Sequence, residues 1–374
     1  MRIIFLSHEA SLTGAPLVLM NFLRWIKNHK TTWQADVVFL KGGSRFDDFS
    51  RNSSSCKVFS QNPYKRNLRQ RLIYNLKSRF SFGYLPPRNM LEEIVANDYD
   101  LIYCNSISTL TLGLEIKEKT NKKLVLHIHE LDIIIKLFSP SFDEMVKNVD
   151  SFVAVSKSVS ETLTKVYQVP TNKISVINEF IYPSQKSFVQ VYSEKTNRRT
   201  IGASGYAHWR KGPIFFLLVA QRIIKLLPEM QFDFQWVGAC KGDERIILEN
   251  VAAKLGIVNH VTFVGETNKP DKYYNNFDLF LMTSLEDPFP IVCIEMGTKG
   301  IPIICFEGAG GSEEWLPKEA VVPYLDVNAM ATAAVERIKN EELYDKESLA
   351  VKKASETFIA EVQCPRLAEI LERL

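Results

Sequence analysis

No apolar run in the sequence approaches the roughly 18 residues that a membrane-spanning helix needs. The first residues, Met1-Arg2-Ile3-Ile4-Phe5-Leu6, are too few for a signal peptide and read as a buried strand. Disulfide and metal frameworks are missing as well. Cys56, Cys104, Cys240, Cys293, Cys305 and Cys364 include no C-x-x-C pair and no metal-like spacing to histidine. Most of them lie in apolar, strand-like runs and read as reduced core thiols of a cytosolic protein. An excess of one charge is also absent. The 46 Lys and Arg stand against 43 Asp and Glu, and a net charge of +3 demands no nucleic-acid partner. There is no internal repeat, no low-complexity tract and no G-x-G-x-x-G fingerprint. These absences leave a cytoplasmic globular protein as the expectation.

What is present is enough chain for two domains. The 374 residues exceed one ordinary core, and a hydrophobic share of 46% with 24% charged is globular composition. Short apolar runs alternate with amphipathic ones: strands at 2–6, 35–40, 101–104, 123–127, 151–155 and 174–178, and helical periodicity at 16–26, 140–148 and 158–167. After a polar stretch the alternation restarts, with strands at 200–203, 232–237, 261–264, 279–283 and 301–306 and helices at 213–227 and 245–255. Strands alternating with helices predict parallel sheets covered on both faces. We expect an α/β fold with a first domain at 1–181, a linker at 182–199, a second domain at 200–354 and closing helices at 355–374. Two such halves make a central cleft, and ligands of open α/β sheets bind beyond the carboxyl ends of the strands.

The sharpest segment is Ser284-Leu285-Glu286-Asp287-Pro288-Phe289-Pro290-Ile291-Val292-Cys293-Ile294-Glu295. It follows an apolar strand and opens a helix with proline in its first turn, which stops near Gly300 and Pro302. A helix start at a strand's carboxyl end is an anion site, because free N–H groups and the dipole point at the ligand. Asp287 and Glu295 lie about two turns apart and project to one side. One can accept from sugar hydroxyls and the other from a ribose diol. The competing reading is a solvated acid at a helix start with a second acid on the helix face.

Three further segments follow strands. Gly202-Ala203-Ser204-Gly205-Tyr206-Ala207-His208-Trp209-Arg210-Lys211-Gly212 joins a glycine loop to adjacent cations before a helix, which suits a diphosphate. Surface charge is the alternative for Arg210 and Lys211, although cations are unfavourable at a helix start. Ser11-Leu12-Thr13-Gly14-Ala15-Pro16 is either a close-approach loop at Gly14 or a plain strand–helix turn. His127-Ile128-His129 puts two histidines on one face at a strand's end, as donors to hydroxyls; His-x-His is also a metal pattern, but no third ligand has clear spacing. Asp98-Tyr99-Asp100 precedes a strand and reads as a connector.

In this order the segments resemble the signature of retaining glycosyltransferases of family 4, with the GT-B architecture of two Rossmann-like domains whose parallel sheets face a central cleft. The resemblance places Asp287 and Glu295 on that family's two acids separated by seven residues, Lys211 on its Lys-Gly loop, Gly14 on its first loop and His129 on its sugar-side histidine. Glu307 to Glu314 resembles its glycine loop beside the donor. This chain has Asp where the first acid is more often Glu, Pro290 where glycine is common, and Gly205-Tyr206 where an arginine is usual. Backbone contacts near Pro290 then fall to Phe289, Ile291 and Val292, and Arg210 stands in as the second cation. The resemblance implies catalytic His129, Asp287 and Lys211, and donor contacts from Gly14, Gly205, Arg210, Lys211, Asp287, Phe289, Ile291, Val292 and Glu295. It further implies transfer of a hexose or deoxyhexose from a nucleotide diphosphate sugar to a saccharide or lipid-linked acceptor, with retention and without metal or other cofactor, in polysaccharide or envelope glycan synthesis. An epimerase or phosphorylase of the same fold, and a non-catalytic nucleotide-sugar module, are the rival readings.

From Lys65 to Arg79 six cations occur without an acid, and Leu68, Leu72, Ile73, Leu76 and Phe80 recur at helical spacing. Such a helix either lies on the inner face of an anionic membrane, beside a lipid-linked acceptor, or packs its apolar stripe on the first domain.

Overall fold

The computed structural model describes residues 1–11, 14–60, 88–183 and 197–374. The basic segment Lys65–Arg79 and most of the expected linker lie outside the described residues. The chain divides into two compact units, Met1–Phe180 with Ala360–Leu374, and Ile181–Ile359.

The first unit runs β1 (Arg2–Glu9), α1 (Gly14–His29), β2 (Gln34–Lys41), α2 (Phe46–Asn52), β3 (Ser55–Ser60), α3 (Arg88–Ala96), β4 (Leu101–Asn105), α4 (Leu110–Thr120), β5 (Lys123–Ile128), α5 (Asp132–Phe138), α6 (Phe142–Met145), β6 (Ser151–Ala154), α7 (Lys157–Lys165) and β7 (Ile174–Val176). Its seven strands are parallel, in the order β3-β2-β1-β4-β5-β6-β7. Strands covered on both faces must be apolar along their length, and Ile3–Leu6 and Leu124–Leu126 are fully buried. The Phe5 ring of β1 packs edge-on against Phe22 of α1 and, tilted, against Tyr103 of β4.

The second unit repeats the plan with β8 (Arg198–Ser204), α8 (Pro213–Leu226), β9 (Gln231–Val237), α9 (Asp243–Lys254), β10 (Val261–Gly265), α10 (Asp271–Tyr274), β11 (Leu279–Met282), α11 (Ile291–Thr298), β12 (Ile303–Phe306), β13 (Val321–Val322), α12 (Val327–Lys339) and α13 (Glu341–Ser355). Its sheet is parallel, in the order β10-β9-β8-β11-β12-β13. Trp236 and Phe234 of β9 meet Phe216 of α8 edge-on at the centre of its core. In both sheets the strand order reverses beside the first strand, between β1 and β4 and between β8 and β11. Such reversal points are where the loops of open α/β sheets diverge and ligands bind, at the carboxyl ends of the strands.

The last helix, α14 (Ala360–Glu372), corrects the expected boundary. Of the closing residues expected at 355–374, those up to Ile359 belong to the second unit, whereas α14 returns to the first and packs on α1, with Lys30 Nζ on Glu372 and Arg366 Nη2 donating to Val176 O at 3.4 Å. The helix expected over 140–148 is the single turn α6 followed by a 3-10 turn.

Candidate functional site

Two loops meet at the reversal point of the second sheet. Leaving β8, Gly205 holds φ at +133°, donates its N–H to Val237 O at 2.9 Å and accepts from Trp236 Nε1 at 2.9 Å. A Cβ on Gly205 would stand 3.2 Å from Lys211 Cε, so glycine lets the lysine stem cross the loop. Gly212, at φ +65°, is pressed on the loop after β11, where a Cβ would lie 1.9 Å from Thr283 O. The two loops are stitched by Leu285 N–H to Arg210 O at 2.8 Å and Thr283 Oγ1 to Lys211 O at 3.1 Å. Arg210 Nη1 donates to Glu286 O at 3.2 Å.

This stitching carries Lys211 Nζ onto Asp287 Oδ2 as a close ion pair, with side chains 17% and 9% exposed. Ser284 Oγ donates to the same carboxylate oxygen at 3.4 Å. Asp287 is not on the helix, which corrects the expectation that it and Glu295 share one helical side. α11 begins at Ile291, with Pro290 as its N-cap rather than in its first turn. Asp287 is fixed instead by a main-chain bridge to the glycine loop after β12: its N–H donates to Ala309 O at 2.6 Å and its O accepts from Gly311 N–H at 3.1 Å. The N–H groups of Ile291 and Val292 open α11 without an acceptor among the described residues. The Phe289 ring is buried against Phe358, 5.1 Å between centroids, so only its backbone is available.

Glu295 lies half-buried on α11, and its carboxylate has no hydrogen bond or ion pair among the described residues. Burial, then the nearby Asp271 carboxylate, raises its pKa to about 7, while Lys299 opposes the rise. Lys299 is itself held by Asp271 at 2.7 Å and Asn275 at 2.8 Å. Buried Cys293, one turn into α11, has its thiol pushed up to about 12 by burial and accepts a weak bond from Ser312 Oγ at 3.7 Å. The same thiol is within electrostatic reach of Asp287, Lys211 and Glu295. Nothing in the spacing signalled Ser284, Cys293 or Ser312.

In the first unit Gly14 opens α1. Among the described residues a Cβ there would meet only Glu179 carboxylate oxygens, at 3.8 and 3.9 Å. His127 is a core residue rather than an exposed donor: its ring is 1% exposed and its Nδ1 meets Tyr103 Oη at 2.6 Å. His129, just past β5, holds Glu179 Oε1 on Nδ1 at 3.0 Å and Asn105 Oδ1 on Nε2 at 3.1 Å. Burial, with His8 adding to it, depresses its pKa to about 3. Among the described residues no group of three or more histidines, cysteines or acids has the geometry to hold a metal ion, and no helix is long and apolar enough to cross a membrane.

Family models match most of the chain. Residues 184–354 match the model for glycosyl transferases group 1, and residues 49–185 match the model for glycosyltransferase family 4. An uncharacterized glycosyltransferase of Methanocaldococcus jannaschii is 27% identical over 242 residues, 59% of this chain and 60% of that protein. A second uncharacterized glycosyltransferase, from Haemophilus influenzae, is 30% identical over 120 residues, 32% of this chain and 33% of that protein. The crystal structure of Anabaena HepE in complex with UDP and glucose is 21% identical, superposes with a TM-score of 0.80 and covers all of both chains. That likeness shows the fold.

Proposed function

We propose that the chain is a glycosyltransferase of GT-B fold, a reading supported by the two glycosyltransferase family models, and that it moves a hexose or deoxyhexose from a nucleoside diphosphate to a saccharide or lipid-linked acceptor, with retention and without a divalent cation. The observation that carries this reading is the Lys211–Asp287 pair beside α11, a helix whose Ile291 and Val292 N–H groups and Glu295 carboxylate have no partner among the described residues.

The roles follow from the chemistry of each group. Glu295 accepts both hydroxyls of a ribose, which needs its ionised form. The N–H groups of Ile291 and Val292 and the ammonium of Lys211 receive the diphosphate, whose charge grows as the glycosidic bond breaks. Lys211 then exchanges Asp287 for phosphate, and the released carboxylate accepts from a sugar hydroxyl. Arg210 acts through its tether to Glu286 O, holding the lysine loop in place. Gly205 supplies room for the lysine stem. HepE was crystallised with UDP, so UDP is the first nucleotide to test. A lipid-linked acceptor fits the basic pattern of Lys65–Arg79, and liposome co-sedimentation unchanged by Gln at those cations would remove it.

In a thermal-shift series against UDP, GDP, dTDP and ADP and their sugars, one base should raise the melting temperature at saturation. A ligand at 100 times its Kd adds about 2.7 kcal/mol, a rise of roughly 4–8 °C. The monophosphate of that base should do markedly less, because the lysine loop and helix start engage the second phosphate. Equal shifts from mono- and diphosphate would sink the diphosphate assignment. Absence of any shift would sink the donor reading. Product formation from the donor without acceptor would identify an epimerase instead.

A further inference from the structure

Glu295 and Lys299 have the spacing at which a helix pairs an acid with a cation, the glutamate four residues ahead of the lysine. Lys299 directly follows α11 and keeps helical dihedrals, φ −92° and ψ −6°, so both side chains leave the same face. Yet the pair does not form. Lys299 Nζ is turned to α10 instead, onto Asp271 Oδ1 at 2.7 Å and Asn275 Oδ1 at 2.8 Å. Asp271 opens α10 and Asn275 is its C-cap, one turn on, so the two partners stand on one side of that turn.

Burial shows what this contact prevents. The Lys299 side chain is 8% exposed and that of Asp271 54%. Lysine is the sealed member of the pair, and a sealed ammonium needs a counter-charge. Asp271 supplies it from the solvent side. Glu295 lies within electrostatic reach of both groups. Tyr274 is also near Glu295 and Asp271, but its hydroxyl is engaged elsewhere. Ser204 Oγ donates to Val237 O at 2.8 Å, so the Tyr274 O–H donates to Ser204 Oγ at 2.6 Å. If Asp271 were removed, the acid one turn back on α11 would take its place beside the ammonium.

We infer that Asp271 and Asn275 are positioning residues that withhold Lys299 from Glu295 and so keep the Glu295 carboxylate open to a ligand hydroxyl. That the hydroxyl belongs to a ribose rests on the proposed function, whereas the direction of Lys299 does not. A pair that would form within one ordinary helix gives way to a contact between two helices. The half-buried acid is thereby left without a partner among the described residues.

Plain electrostatics and withholding predict opposite signs for one change. Removing an acid beside a carboxylate that must be ionised should by itself tighten nucleotide binding. In calorimetry of the full chain at pH 8, Asp271→Ala should instead bind UDP roughly 5- to 30-fold more weakly, since Kd rises as the open fraction falls. Asp271→Ala with Lys299→Met should return to within about threefold of wild type. A ligand-free measurement accompanies it. At pH 8 Glu295→Gln should raise the melting temperature of wild type, because an unpaired half-buried charge is lost. The same change should lower that of Asp271→Ala, because Lys299 loses its new partner. Should Asp271→Ala not fold, Asp271→Asn takes its place. Asp271→Ala that binds UDP as tightly as wild type while Glu295→Gln binds it weakly overturns the withholding role, as does a double variant as weak as Asp271→Ala. A stability effect of Glu295→Gln with the same sign in both backgrounds also overturns it. A wild type that binds UDP no better than Glu295→Gln does tells against the ribose reading, and the change of sign in stability still reports where Lys299 points.

Discussion

Lys211→Met will cost about 2–4 kcal/mol of stability and roughly 10²- to 10³-fold in kcat, and adding Asp287→Asn will restore the first but not the second. The stability loss follows from the carboxylate left behind. Asp287 is 9% exposed, and without Lys211 its only side-chain partner among the described residues is Ser284 Oγ at 3.4 Å. An uncompensated, nearly buried charge is expensive, whereas asparagine at the same place needs no counter-charge. The loss of rate has a different origin. A leaving diphosphate gains negative charge in the transition state, and neither methionine nor asparagine can meet it. Chemical melts of the single and double variants, beside turnover of the donor identified by thermal shift, measure the two effects separately. Recovery of kcat in the double variant would mean that Lys211 is only the counter-ion of Asp287.

The second large effect has opposite signs in stability and binding. Glu295→Gln should weaken binding of the nucleotide sugar by roughly 10- to 150-fold, the equivalent of a charge-assisted contact of about 1.5–3 kcal/mol. It should also raise stability at pH 8. With a folded pKa of about 7 against an ordinary 4.5, the native state keeps a proton that the unfolded chain releases between those values. Unfolding free energy therefore falls as pH rises through that window, and glutamine removes the fall, a gain of roughly 2 kcal/mol once partial exposure is allowed for. Affinity of the wild type has the reverse dependence. The ribose contact needs the carboxylate, so Kd should weaken toward tenfold per pH unit below about 7. UDP-glucose suits this titration because its diphosphate does not change charge there. A pH-independent Kd, with glutamine binding as well as the wild type, would take Glu295 out of the ribose site.

The sheets were legible because strands buried on both faces are apolar runs, as in Ile3–Leu6 and Leu279–Met282, and the helices between them keep a helical period. Lys211 and Glu295 were legible as residue types at the carboxyl ends of strands, where open parallel sheets collect ligands. Their partners were not. The Lys211–Asp287 contact joins residues 76 apart, and the His129–Glu179 contact residues 50 apart. Neither spacing has a local signature. The place of Asp287 was misread because helical periodicity was extended back through Pro288 and Pro290, while the backbone there pairs with the glycine loop. The return of α14 was hidden for a similar reason, since an amphipathic stripe does not say which core it covers.

That return makes the first unit discontinuous, its sheet coming from Met1–Phe180 and one of its packed helices from Ala360–Leu374. During synthesis the second unit has all its residues while the first still lacks α14. The earlier-made unit is therefore completed only after the later-made one, with α1 uncovered in the meantime. A gene cut after Phe180 would yield a fragment with that gap left open, and fusing residues 360–374 to it through a flexible tether is the way to obtain the unit alone.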